Sequence, residues 1–108
     1  MADSAKRVLI ENVLSPGHTR SVDAGKYGDM RQAVLASLPL GAPGITSAEL
    51  KRLVLPRLSQ QLFPGGEKAG WWLKGVQLDL EAKGIVGRSA TAPLRFYAID
   101  GTSSRSQD

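Results

Sequence analysis

The chain contains no cysteine and a single histidine, and the apolar run near its start extends only from Val8 to Ile10. Without cysteine there is neither a disulfide framework nor a thiolate metal site, a composition that fits a reducing compartment. With His18 alone, a histidine metal triad or a Ser-His-Asp arrangement would lack its usual second imidazole. The Ser15-Pro16-Gly17-His18-Thr19 setting reads instead as a turn. The run Val8 to Ile10 is too short for a membrane span or a signal-peptide core, so a soluble cytoplasmic protein is the expectation. Carboxylates are scattered, with no pair spaced for acid and base roles. Gly65-Gly66-Glu67-Lys68 lacks the G-x-x-x-x-G-K-[ST] spacing of a phosphate loop and reads as a tight turn into a helix. No enzyme activity, cofactor, metal or small-molecule substrate is expected.

What is present is enough apolar material for one core: 108 residues, 42% of them hydrophobic, suit one domain. A net charge of +4 and a pI near 9.8 invite a nucleic-acid reading. The excess, however, lies upstream. Residues 1 to 66 hold eight Lys and Arg against five Asp and Glu, whereas residues 67 to 100 hold five against four. Residues 1 to 7 read as a flexible N-terminus, 8 to 100 as a single domain, and 101 to 108, which carry no apolar residue, as a disordered tail.

The organising stretch is Gly65 to Gly84. Ala69, Trp72, Leu73, Val76 and Leu80 share one side of a helical wheel, predicting a buried helix over residues 68 to 83. Glu67 is placed to meet the positive end of its dipole, and Gly84 suits a left-handed C-terminal cap. Ile85 to Ser89 and Leu94 to Ile99 follow as strands around a turn at Ala90 to Pro93. Upstream, Val8 to Leu14 reads as a strand, the preferred reading, or as an apolar arm laid across the domain. Ser15 to Ser21 reads as a turn, and Asp23 as the cap of a helix over 24 to 38 with Tyr27, Met30, Val34, Leu35 and Leu38 on one face. Thr46-Ser47-Ala48-Glu49 is a capping box. The helix it opens should turn Leu50, Leu53, Val54 and Leu58 inward, with Pro56 either bending it or ending it near Leu55. Leu62 and Phe63 are expected to anchor the connection to the next helix.

This order predicts an α+β fold of the winged helix-turn-helix type: three helices, a β-hairpin wing and an extra N-terminal strand. Leu62-Phe63-Pro64-Gly65-Gly66, Ala69-Gly70-Trp71-Trp72, Val76 to Gly84 and Pro93-Leu94-Arg95 resemble a family of small uncharacterised bacterial proteins. Glu11-Asn12-Val13, Ser15-Pro16-Gly17, Val22-Asp23-Ala24 and Lys26-Tyr27 look like the same family's N-terminal half. The resemblance covers about residues 8 to 97 and implies no activity. The Leu80 to Val86 junction is also similar to the helix-to-wing junction of winged-helix transcription factors, which bears on fold and not on mechanism.

Two functions from different classes follow. In the first, the domain is a nucleic-acid-binding or transcription-associated module, with double-stranded DNA as its possible partner and Lys51, Arg52, Lys68, Lys74, Gln77, Arg88 and Arg95 as the candidate contacts. Against it, Asp79 and Glu81 would repel phosphate, and the wing tip from Ser89 to Ala92 has no Lys or Arg. In the second, the helix face carrying Trp71, Gly75 and Leu78 is an apolar stripe that something must cover. A homodimer contact or a partner protein would do so, and so would the chain's own segment Val8 to Leu14.

Overall fold

The computed structural model describes residues 6–89 and 92–99. The two middle residues, 90 and 91, of the expected wing tip from Ser89 to Ala92 lie outside the described residues, as do the expected tail and the first five residues of the expected flexible N-terminus. Arg7, assigned to that N-terminus, is instead the first residue of a strand. Two antiparallel strands, β1 (Arg7–Glu11) and β2 (Thr19–Asp23), form a hairpin in which Val8 faces Val22 and Ile10 faces Arg20. Arg7 closes its open end, Nε donating to Ser21 Oγ at 2.8 Å and Nη2 to the Ser21 carbonyl at 2.7 Å. The single N-terminal strand of the sequence reading is thus half of a ribbon. The turn falls earlier than expected, over residues 12–18 rather than Ser15 to Ser21, and is tied by the Ser15 N–H to the Asn12 carbonyl and the His18 N–H to the Ser15 carbonyl.

Asp23 ends β2 and begins helix α1 (Ala24–Ser37), its carboxylate accepting from the Lys26 N–H at 2.8 Å. The helix buries Met30 and Val34 completely and stops before Pro39. A two-residue strand, β3 (Ile45–Thr46), precedes α2 (Ser47–Val54), and the expected capping box is present in full: Glu49 N–H to Thr46 Oγ1, and Thr46 N–H to Glu49 Oε1. Pro56 converts the end of α2 into a 3₁₀ turn over Leu55–Arg57. Leu50 and Val54 are fully buried, but Leu53 is 43% exposed, contrary to expectation, since this short helix turns only one stripe to the core.

The central helix is α3 (Ala69–Ala82). It opens after a 3₁₀ turn at Pro64–Gly66, with Lys68 in the left-handed region at φ 59° as its first flanking residue. Glu67 therefore stands outside the first helical turn and does not meet the dipole as expected. The other end follows expectation: Gly84 sits at φ +77°, its N–H donating to the Glu81 carbonyl, while the Ile85 N–H donates to the Leu80 carbonyl. This is the paired hydrogen bonding of a Schellman cap. Strands β4 (Val86–Arg88) and β5 (Arg95–Ala98) follow, and β3 joins β5 on its far side, giving a three-stranded antiparallel sheet in the order β3-β5-β4. Gly44 allows β3 to approach, because a Cβ there would lie 2.2 Å from the Phe96 carbonyl oxygen.

The core lies where Met30 and Val34, Leu50 and Val54, Val76 and Leu80, and Phe63 and Phe96 meet. Phe63 anchors the connection into α3, its ring 6.1 Å from Trp72 in an edge-to-face arrangement. Asp29 fixes the same connection by accepting from the Ser59 N–H at 2.8 Å. The molecule is α+β, with three helices and two small antiparallel sheets. No helix among the described residues is long and apolar enough to cross a membrane.

Candidate interaction surface around helix α3

Alternation along the N-terminal hairpin puts Val8, Ile10, Arg20 and Val22 on one face, and that face packs on α3. A Cβ at Gly75 would lie 3.7 Å from Ile10 Cδ1. The five expected core residues of α3 are all buried, and Gln77, Leu78 and Asp79 on its other sides are buried as well. The reason is the ribbon: α3 is enclosed by the core on one side and by β1 on another. Leu78, expected on an open stripe, is only 7% exposed, and Gly75 lies under Ile10. The cover that the sequence reading offered as one option, the segment from Val8, therefore takes up two of the three stripe residues.

Asp79 pins this cover. Its fully buried carboxylate accepts from the Glu11 N–H at 2.9 Å, from the Tyr27 hydroxyl at 2.5 Å and from the Lys83 ammonium one turn along the helix. Hairpin, α1 and α3 thus meet on one side chain, and all three donors relieve a charge that burial would otherwise penalise. Burial, reinforced by the bond to Asp79, pushes the Tyr27 hydroxyl well above the ordinary tyrosine range.

Glu81 is satisfied in the same way. Its side chain, 4% exposed, accepts from Arg88 Nε at 2.5 Å and Nη2 at 3.0 Å, and from Gln77 Nε2 at 3.0 Å. The bond to Glu81 holds the Arg88 guanidinium above its ordinary pKa, and the same group lies 5.5 Å from the Phe96 ring centroid. Asp79 and Glu81 were expected to repel phosphate. Both point inward and are paired, so neither presents a free negative charge to a phosphate. Gln77 and Arg88, expected as DNA contacts, are held in the same internal network.

Two clefts flank α3. One, of about 270 Å³, lies between the hairpin and the helix, with Asn12, His18 and Arg20 among its polar walls and Gly75 and Leu78 among its apolar ones. The other, of about 290 Å³, lies between α2, α3 and the β4–β5 ribbon. It gathers four of the seven candidate cations and amides, Lys51, Lys74, Gln77 and Arg88, whereas Arg52, Lys68 and Arg95 line neither cleft. Arg95 sits near Glu49, whose carboxyl is held below its ordinary range chiefly by the hydrogen bond from the Thr46 backbone. Trp71 stays 51% exposed beside Trp72, with the Arg20 guanidinium 4.9 Å from its ring centroid.

Arg20 and the exposed Leu14 and Leu94 were not foreseen as parts of this surface, nor was the bond to Asp79 made by Tyr27, which was expected on the packed face of α1. Asp79 and Lys83 did carry a signal, a helical i,i+4 pair of opposite charge. Arg20 carried one too, since it stands two residues before Val22 and so shares its face once the segment is a strand.

The family of unknown function DUF6958 matches residues 7–96, most of the chain, and the protein belongs to that family. The span agrees with the residues 8 to 97 over which the sequence motifs resemble one family. No curated protein and no solved structure matches the chain.

Proposed function

We propose that this member of DUF6958 is a protein-interaction module on a winged helix-turn-helix framework, with its third helix turned to internal packing rather than to DNA. Support for the framework is the order α1, β3, α2, α3, β4, β5 together with the sheet order β3-β5-β4, in which β4 and β5 stand as the wing. One observation carries the functional reading: of the residues of α3, only Gly70, Trp71 and Lys74 are exposed. Reading base edges takes several Arg, Lys, Asn or Gln side chains projecting from one helix face into a groove. Lys74 alone fits that description on α3, while Gln77 is enclosed and Arg88 is neutralised by Glu81. What α3 offers outward is a tryptophan and a lysine, beside Lys51 from α2. That is a contact surface for a protein.

The test is a titration of the full chain against a labelled DNA duplex at several salt concentrations, alongside light scattering after size exclusion. A phosphate-reading domain loses affinity with a logarithmic slope of roughly −0.9 per contact. The module reading expects no duplex binding at low salt. Tight binding with a slope equivalent to three or more contacts would reject it. If the chain dimerises through this surface, Trp71→Glu returns it to a monomer without unfolding it.

A further inference from the structure

Resting on the reading of the chain as an interaction module, the geometry points to the class of partner. The cleft between α2, α3 and the β4–β5 ribbon docks a peptide segment of another protein that carries carboxylates next to large apolar side chains.

The apolar half of the match comes from the cleft's floor and rim. Phe96 and Leu78, 1% and 7% exposed, lie beneath it, while Leu14 from the hairpin turn and Leu94 from the segment before β5 stand at its edge, 62% and 44% exposed. Exposed leucines scattered singly are ordinary, but two from separate loops flanking one concavity form a patch that a partner would cover. At about 290 Å³ the cleft is at the low end of the range of roughly 300–1,000 Å³ typical of small-molecule sites, which suits one or two inserted side chains rather than a cofactor.

The charged half is one-signed. Lys51 and Lys74 both line the cleft, both are exposed, and neither forms an ion pair among the described residues. Lys51 reaches across to α3, its Nζ 3.4 Å from where a Cβ of Gly70 would stand, so the missing side chain leaves room for the ammonium. Arg88 adds no free charge, being paired with Glu81, and no carboxylate among the described residues lines the cleft. Electrostatic complementarity therefore calls for an anionic partner.

Three anionic or self-complementary occupants can be compared. Single-stranded nucleic acid binds by stacking bases on exposed rings along a basic groove. Among the described residues the only ring lining this cleft is the buried Phe96, while Trp71 stands outside it with Arg20 over its face. A second copy of the chain carries a net charge of +4 and brings no excess of carboxylates. An acidic and apolar peptide satisfies both halves of the surface.

The experiment is selection of a displayed random-peptide library on the immobilised full chain, followed by fluorescence anisotropy with a synthetic copy of the most enriched peptide. Enriched peptides should combine Asp or Glu with Leu, Ile, Phe or Trp. Lys51→Glu combined with Lys74→Glu should weaken binding about tenfold or more, Leu94→Asp should weaken it also, and Arg57→Glu, outside the cleft, should leave it unchanged. All these positions are exposed, and unchanged thermal unfolding will show that the variants fold. Failure to enrich any peptide, enrichment without acidic residues, or indifference to the double lysine reversal overturns the proposal. So does displacement of the peptide by oligo-thymidylate, which would assign the cleft to nucleic acid. If binding depends on Trp71→Ala and not on the lysines, the cleft assignment fails while the module reading stands. If the chain binds duplex DNA and no peptide, both fail.

Discussion

Asp79 ties the N-terminal hairpin to the helical body, because its carboxylate bonds to β1, to α1 and within α3. Lys83 is 37% exposed and can turn to water if the carboxylate is lost, so the cost of Asp79→Ala falls on the Glu11 N–H and the Tyr27 hydroxyl. Each group left without an acceptor should cost about 1–3 kcal/mol. Tyr27→Phe, which removes one bond to a buried carboxylate, should cost about 1.5–3 kcal/mol in urea unfolding at neutral pH. The folded-state pKa of Tyr27 lies above its unfolded value, so its contribution is complete below about pH 10 and is lost as pH rises through the higher folded value. Wild-type stability should therefore decline in alkali more steeply than that of Tyr27→Phe. Gly75 supplies a contrasting expectation. The Cβ of Gly75→Ala would meet Ile10 at an ordinary contact distance of 3.7 Å. The substitution should stabilise the chain by about 0.5–1 kcal/mol through helix propensity alone. A loss of stability would place Ile10 closer to α3 than described.

At the scale of elements, what could be read from the sequence was local chemistry with its partner a few residues away. Thr46 and Glu49, Asp23 and Lys26, and Gly84 with Glu81 each announce a helix end within one turn, and each cap forms as expected. Strand β2 was not legible, because Ser15-Pro16-Gly17 and the polar Thr19-Arg20-Ser21 look like a continuing turn until Val22 is seen to pair with Val8. Strand β3 was not legible either. Two residues carry no periodicity, and their pairing depends on Phe96 fifty-one positions from Ile45. Two glycines show how differently such positions bear load. Gly84→Ala meets no atom within 4 Å and should cost about 1 kcal/mol, from its left-handed backbone alone. Gly44→Ala carries the same backbone penalty at φ +85° and also drives a Cβ to 2.2 Å from the Phe96 carbonyl oxygen. Thermal unfolding should rank Gly44→Ala well below Gly84→Ala, with β3 lost from the sheet; equal melting temperatures would mean that β3 does not pack as described.

For the whole molecule, the decisive feature is long-range: a ribbon from the first quarter of the chain lies over a helix in its last half. The wheel of α3 identified the core side correctly, since Ala69, Trp72, Leu73, Val76 and Leu80 are all buried. It could not tell that Gln77, Leu78 and Asp79 would be enclosed too, because helical periodicity describes one neighbour and α3 has two. The basic residues were visible as a composition, but their pairing was not. Arg88 faces Glu81 only because β4 folds back beside α3. Both the enclosure of Gln77, Leu78 and Asp79 and the proposed role of Lys51, Trp71 and Lys74 as a contact surface rest on that cover. A nuclear Overhauser spectrum of the isotope-labelled full chain tests it most directly. The account predicts cross-peaks between the Ile10 δ1 methyl and the Gly75 α protons. Their absence, with Leu78 methyls open to a soluble paramagnetic probe, would contradict it.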